Sequence, residues 1–241
     1  MILNFRPQGD RGLLVEFKEE ISPEIAQQVR ALRQALEELA YPAIQELIPA
    51  YRSILIRFDP LQTNPKELEE LVRTGSKVNN RRLIPAQVIE IPVCYSQEFG
   101  PDLESVALDA GLSQEKVIEL HSRPEYLIYM LGFTPGFPYL GGLKPEIACP
   151  RLSEPRTQIA AGSVGIADQQ TGIYPLASPG GWRIIGRTPL KLFDPNRSEP
   201  ILLKAGDYLK FVPISLKQYE NLQNQVEKQN YTPVFYDREG V

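Results

Sequence analysis

Between Gly132 and Leu190 the chain carries ten of its 17 glycines and eight of its 22 prolines, which leaves little room for long regular elements. Glycine reaches backbone conformations closed to other residues, whereas proline fixes φ and removes a hydrogen-bond donor. A stretch punctuated in this way folds as short extended pieces joined by tight turns. Among the turns stand the aromatics Phe133, Phe137, Tyr139, Tyr174 and Trp182 and the arginines Arg151, Arg156, Arg183 and Arg187. Rigid turns around apolar and cationic side chains are shaped to hold something, so this is where function is sought.

The rest of the composition narrows the classes. At 241 residues the chain has room for one large domain or two moderate ones. Hydrophobic residues make up 42% and charged residues 23%, normal for a soluble globular protein. A net charge of −4 argues against broad nucleic-acid binding or attachment to anionic membranes. No apolar run reaches membrane-span length, and the start MILNFRPQGDRG has neither a basic segment nor a signal core, so the expected location is cytoplasmic. Cys94 and Cys149, each flanked by apolar or proline residues, are expected as reduced, half-buried thiols. His121 is the single histidine, and no Cys/His or His/carboxylate cluster has ligand spacing, so no metal site is expected.

The first ~90 residues alternate strand and helix signals. Ile2–Arg6 and Leu13–Phe17 flank a hairpin-like turn, and Ser22-Pro23 caps a helix whose apolar set is Ile25, Val29, Leu32, Leu36 and Leu39. Ile44–Ile48 and Ser53–Phe58 read as strands, Asn64-Pro65 opens a second helix, and Gln87–Val93 closes the unit as another strand. The resulting β-α-β-β-α-β order, with an extra N-terminal hairpin strand, predicts a ferredoxin-like α/β sandwich over residues 1–88. The basic segment Ser76–Pro85, with Lys77, Arg81 and Arg82, reads as a solvated stretch near a domain junction.

Two short helices follow, Asp102–Ala110 and Ser113–His121, with Gly111 between them. Their spacing mimics a DNA-binding helix-turn-helix, but Glu115 and Glu119 against Lys116 alone would repel phosphates. Beyond Arg123 the pattern is mainly β. Glu125–Leu131, Trp182–Ile185 and Tyr208–Ile214 read as strands, the last two barrel-like, with a helix near Leu216–Glu227 and a strand at Pro233–Tyr236. The class is α+β, with a second domain over 89–241.

Several familiar chemistries fail on the residues. Neither Ser163 nor Ser178 has the glycine two positions earlier that a nucleophile elbow needs, and no GxxxxGK[ST] phosphate loop exists. His121, at a helix end, reads as a cation stabilised by the helix rather than as a catalytic base. What remains is a binding pocket. Phe133, Phe137, Tyr139, Tyr174 and Trp182 would wall it, and Gly162, Gly165, Gly180 and Gly181 would offer backbone N–H groups. Arg156 and Arg187 would grip a carboxylate, while Ser163, Gln170 and Ser178 would fix orientation.

The stretches GFTPGFPYLGGL, PRLSEPRT, AGSVGIADQQTGIYPLASPGGW and IIGRTPLKLFDP resemble the family of 5-oxoprolinase B subunits. That family includes KipI-type sensor-kinase inhibitors and the related half of allophanate hydrolase and urea carboxylase carboxyltransferase domains. The likeness extends over the whole chain, with Ala160 where the family usually has proline and Asp168 where it usually has glycine. It implies an α/β N-terminal domain followed by a cyclophilin-like β-barrel. It also implies two partners, a carboxyltransferase-type C subunit of 5-oxoprolinase and a lactam-utilisation protein as its A subunit. The activity it implies is an ATP-dependent opening of 5-oxoproline to glutamate, with ATP as co-substrate of the complex. The alternative that the resemblance leaves open is a regulatory protein that inhibits a sensor histidine kinase without chemistry of its own.

Overall fold

Helix α1 (Pro23–Leu39) begins at the expected cap: Ser22 Oγ accepts the Ile25 N–H at 3.3 Å, and Pro23 fills the first helical position, where its missing donor is not needed. The structure, a computed structural model, describes residues 3–76 and 85–238 and separates into two units, Met1–Pro85 and Ala86–Val241. Lys77, Arg81 and Arg82 lie outside the described residues.

In the first unit, β1 (Asn4–Gln8) and β2 (Gly12–Glu16) form the expected hairpin. After α1 come β3 (Ile44–Pro49), β4 (Ser53–Phe58) and helix α2 (Pro65–Ser76). The four strands make an antiparallel sheet in the order β1-β2-β4-β3, so α1 crosses between two strands that β4 keeps apart. Ile25, Val29, Leu32 and Leu36 are buried with Leu13, Val15, Ile54 and Ile56 of the sheet; each such side chain contributes roughly 1.5–3 kcal/mol. Leu39, the last of the expected apolar set, is exposed.

Gln87–Val93 does not close this unit. It is β5, the first strand of the second unit, where it pairs in parallel with β13 (Tyr208–Pro213). The edges of the first sheet are β1 and β3. Strand order depends on long-range pairing, and nothing in the local alternation of β5 distinguishes the two sheets.

Helices α3 (Leu103–Ala110) and α4 (Gln114–Ser122) follow, and Gly111 between them takes the left-handed conformation, φ 65°. Then come β6 (Glu125–Leu131), β7 (Pro138–Gly141), β8 (Arg156–Ile159), β9 (Ser163–Ala167), β10 (Gln170–Ile173), β11 (Ser178–Gly180) and β12 (Arg183–Arg187). After β13, helix α5 (Leu216–Glu227) carries a capping box from Ser215 and Gln218, and β14 (Phe235–Asp237) ends the described chain.

The main sheet runs β12-β9-β10-β7-β6-β13-β5-β14, while β8 and β11 form a separate ribbon. It curls until Cys94, just past β5, exchanges two backbone hydrogen bonds with Arg187 at the end of β12, at 2.9 and 3.0 Å. A bulge between Ile184 and Gly186 and the absence of a side chain at Gly186 permit this meeting: a Cβ there would sit 2.8 Å from Val93 Cγ1. Val106, Ala107 and Val117 of α3 and α4 pack into the same core as Ile91, Val93, Ile166 and Ile185.

Candidate functional site

The short strands bring the aromatics of the Gly/Pro-rich stretch together. Phe137, just before β7, meets Tyr139, Tyr174 and Trp182 edge-on, with ring centroids 5.3, 5.5 and 5.6 Å apart, the arrangement that aromatic quadrupoles favour. Two glycines make room for them. A Cβ on Gly172 would lie 3.0 Å from the Trp182 ring and 3.2 Å from that of Phe137, and a Cβ on Gly180 would collide with the Tyr174 hydroxyl. Phe137, Tyr174 and Trp182 are buried, so they form a packed block rather than the wall of an open pocket; Tyr139 is half-buried beside them. Burial raises the Tyr174 hydroxyl above its ordinary range, opposed by a hydrogen bond from the Trp182 main chain and by the charges of Arg151 and Arg156.

Phe133 stands apart from the block's interior. It is 67% exposed and has φ 63°, a conformation that bulky side chains rarely adopt. The Thr134 N–H reaches back to the Gly132 carbonyl at 2.7 Å, closing a three-residue turn with Phe133 at its tip. Its ring meets that of Phe137 edge-on, with centroids 5.6 Å apart.

Three of the four arginines are committed within the chain. Arg156 makes a two-pronged pair with Asp102, at 2.9 and 2.7 Å, so it is not free to grip a ligand carboxylate as its sequence context suggests. Arg183 pairs with Asp109 at 3.1 Å and donates to Ser105 Oγ and the Pro150 carbonyl; Arg151 faces Asp168 at 3.4 Å. Arg187 differs. Its guanidinium lies over the Phe99 ring at 4.9 Å, its field and hydrogen bond act on the Tyr219 hydroxyl, and its buried Nε has no partner among the described residues. Asp102, Phe99 and Tyr219 were not among the expected site residues, and each reaches its arginine across a long sequence separation.

The remaining positions divide between these two neighbourhoods. Gly162 (φ 80°) lies against Arg187, and its N–H is donated to the Tyr174 carbonyl at 2.7 Å, so that donor is not offered to a ligand. Ser163 is buried opposite Arg187 in the β9–β12 pairing, and Gln170 begins β10. Ser178 and Gly180 lie on the β8–β11 ribbon, with Ser178 Oγ buried and unpartnered among the described residues; a Cβ on Gly181 would meet only ordinary contacts, the nearest at 3.7 Å.

His121 is fully buried, which overturns its reading as a helix-end cation. Thr171 Oγ1 donates to the Gly165 carbonyl at 2.9 Å and so can only accept from His121 Nε2, 2.8 Å away. That fixes the proton on Nε2 and leaves Nδ1 to accept from the Tyr95 hydroxyl at 2.8 Å. Desolvation lowers the pKa from 6.5 to about 3, and the neutral ring stacks on Phe211 at 4.4 Å. Both cysteines are free and buried, and burial raises the Cys149 thiol to about 11. Among the described residues no group of three or more His, Cys, Asp or Glu is placed to hold a metal ion, and no helix is long and apolar enough to cross a membrane.

The sequence signature of the carboxyltransferase domain, subdomain C and D, matches residues 3–203. The chain is 45% identical over 228 residues to the 5-oxoprolinase B subunit of Bacillus subtilis (strain 168), covering 88% of this chain and 92% of that protein. It is 44% identical over 211 residues to the 5-oxoprolinase B subunit of Escherichia coli O157:H7, covering 85% of this chain and 93% of its relative. Among solved structures, TTHA0988 superposes with a TM-score of 0.76 at 38% identity, over 85% of this chain and 40% of that longer one. On matches that span nearly the full length of both partners, this chain belongs to the family of 5-oxoprolinase B subunits.

Proposed function

We propose that this chain is the B subunit of a multi-component 5-oxoprolinase that opens 5-oxo-L-proline to L-glutamate at the expense of ATP. The observation that carries the reading is the 45% identity, over 92% of its length, to a protein named as a 5-oxoprolinase B subunit. The curated relatives favour this reading over kinase inhibition, since those at 44% identity and above bear the same name. The partners in this reading are the carboxyltransferase-type C subunit and the lactam-utilisation protein that serves as the A subunit, and the complex works in the cytoplasm.

An unstrained lactam carbonyl resists water, and phosphorylation of its oxygen would make the carbon electrophilic. In this reading the complex supplies that activation and this chain supplies binding. The neutral, enclosed His121 and the raised Cys149 thiol do not serve as a base and a nucleophile, which favours a protein that works only in company. Arg187, half-buried beside Gly162 and opposite Ser163, is the carboxylate anchor in this reading, because it alone of the four arginines has no carboxylate partner among the described residues, and the aromatic block gives that side of the unit its rigid shape. The curl of the main sheet and its closing bridge between Cys94 and Arg187 support a cyclophilin-like barrel for the second unit. The first sheet, with β4 between β2 and β3, supports a ferredoxin-like sandwich whose edge comes from the N-terminal hairpin.

Co-expression with the two partner proteins tests the assembly. A tagged form of this chain should retain both through size-exclusion chromatography; elution of this chain alone would count against the reading.

A further inference from the structure

Arg151, Arg156 and Arg183 each face a carboxylate, whereas the partners of Arg187 are neutral aromatics. Its guanidinium lies over the Phe99 ring, and the Tyr219 hydroxyl oxygen accepts one of its N–H groups. Burial raises that hydroxyl above its ordinary range, opposed by the Arg187 charge, so the phenol stays neutral. Glu98 is near enough for its charge to act on Tyr219, yet it is exposed and stands in no ion pair with Arg187 among the described residues. A carboxylate partner would neutralise the cation. A phenol and a ring face hold it and leave its charge for another anion.

The two aromatics arrive on rigid supports. The Phe99 and Gly100 N–H groups both donate to the Ser96 carbonyl, at 3.0 and 2.7 Å, and Gly100 lies so close to the Ile185 carbonyl that a Cβ has no room there. Tyr219 is the one buried residue of α5. The capping box of Ser215 and Gln218 starts that helix, and the Ile214 N–H ties the preceding residue to the Val93 carbonyl at the end of β5, at 2.9 Å. The Phe99 and Tyr219 rings pack with centroids 4.4 Å apart, in a small cluster with Cys94 that is separate from the main core.

Arg187 is therefore fixed at both ends, its main chain by Cys94 and its guanidinium by two buried rings. A free arginine loses much rotamer freedom when it meets a ligand, and one already held in place loses little.

We propose that Tyr219 and Phe99 are positioning residues for the substrate carboxylate: they hold the Arg187 guanidinium in one orientation with its charge uncompensated, and so set the affinity for 5-oxoproline. The proposal rests on the reading of Arg187 as the carboxylate anchor.

Kinetics of the assembled three-component enzyme test it. Tyr219→Phe removes the accepting oxygen and keeps the ring against Phe99; it should raise KM for 5-oxoproline about fivefold, the worth of one hydrogen bond, with kcat within about twofold. Added to Arg187→Ala it should change nothing further, because a positioning residue acts only through the group it positions. An unchanged KM in Tyr219→Phe, where Arg187→Ala does raise KM, would overturn this proposal alone, and so would an equal effect of Tyr219→Phe in both backgrounds. A normal KM in Arg187→Ala, or no turnover by the wild-type assembly, would overturn the anchor reading and this proposal with it. Should Tyr219→Phe fail to fold, Phe99→Leu keeps the apolar bulk, removes the ring face and completes the same cycle.

Discussion

Arg156 holds Asp102 through both terminal nitrogens, Nη1 to Oδ2 at 2.9 Å and Nη2 to Oδ1 at 2.7 Å, and the same carboxylate accepts the Ile184 N–H at 2.6 Å. The pair therefore clamps β8 and β12 to the start of α3. Asp102 is buried and Arg156 half-buried, so Arg156→Ala should cost about 2–3 kcal/mol, between the limits for exposed and buried pairs. Urea denaturation measures this; a variant of unchanged stability but reduced turnover would return Arg156 to a ligand-binding role.

Gly180 and Gly181 are neighbours with opposite tolerances. Gly180→Ala drives a methyl group into the Tyr174 hydroxyl and should cost roughly 1–3 kcal/mol, while the nearest atom to a Cβ on Gly181 is 3.7 Å away and Gly181→Ala should be close to neutral. Trp182→Ala, which empties the middle of the same block, should cost about 3–5 kcal/mol. Equal melting temperatures for the two glycine-to-alanine variants would contradict the packing described.

His121 makes the fold sensitive to acid. Its folded pKa of about 3 lies below its ordinary 6.5, so above pH 6.5 both folded and unfolded forms are neutral and nothing is lost. As the pH falls below 6.5 the unfolded chain takes up a proton that the folded chain refuses, and stability drops by about 1.4 kcal/mol per pH unit until the folded pKa is reached. His121→Gln removes this term, so subtracting its stability profile from that of the wild type between pH 6.5 and 4 isolates the slope. Parallel profiles would mean that the histidine titrates normally.

Arg187→Ala should lower kcat/KM of the assembled enzyme by at least about tenfold, the value of one charge-assisted hydrogen bond to a carboxylate, with the change concentrated in KM. The Cys94 bridge uses only the main chain of Arg187, so circular dichroism should report an intact fold. A melted variant would assign Arg187 to the packing of Phe99 and Tyr219 instead.

Local signals in the sequence marked the helix ends well. Ser22-Pro23, Gly111 and Ser113 all stand where caps require them, because capping is decided within a few residues. Asp168, which stands where the family usually has glycine, keeps the left-handed backbone, with φ 53°, as aspartate can. The clustering of Phe137, Tyr174 and Trp182 was legible from glycine and proline density, but their burial was not. The Arg156–Asp102 pair spans 54 residues, and the burial of His121 depends on Tyr95, Thr171 and Phe211 arriving from three other places in the chain. The transfer of β5 to the second sheet has the same origin, since pairing partners far along the chain leave no periodic mark on the strand itself.

The measurement that bears most directly on the central claim is ATP-coupled release of glutamate from 5-oxoproline by the purified lactam-utilisation and carboxyltransferase-type partners, with and without this chain. The account predicts turnover in the three-part mixture, loss of at least about tenfold when this chain is withheld, and restoration when it is added back. An unchanged rate in its absence would contradict its assignment as a working part of the enzyme.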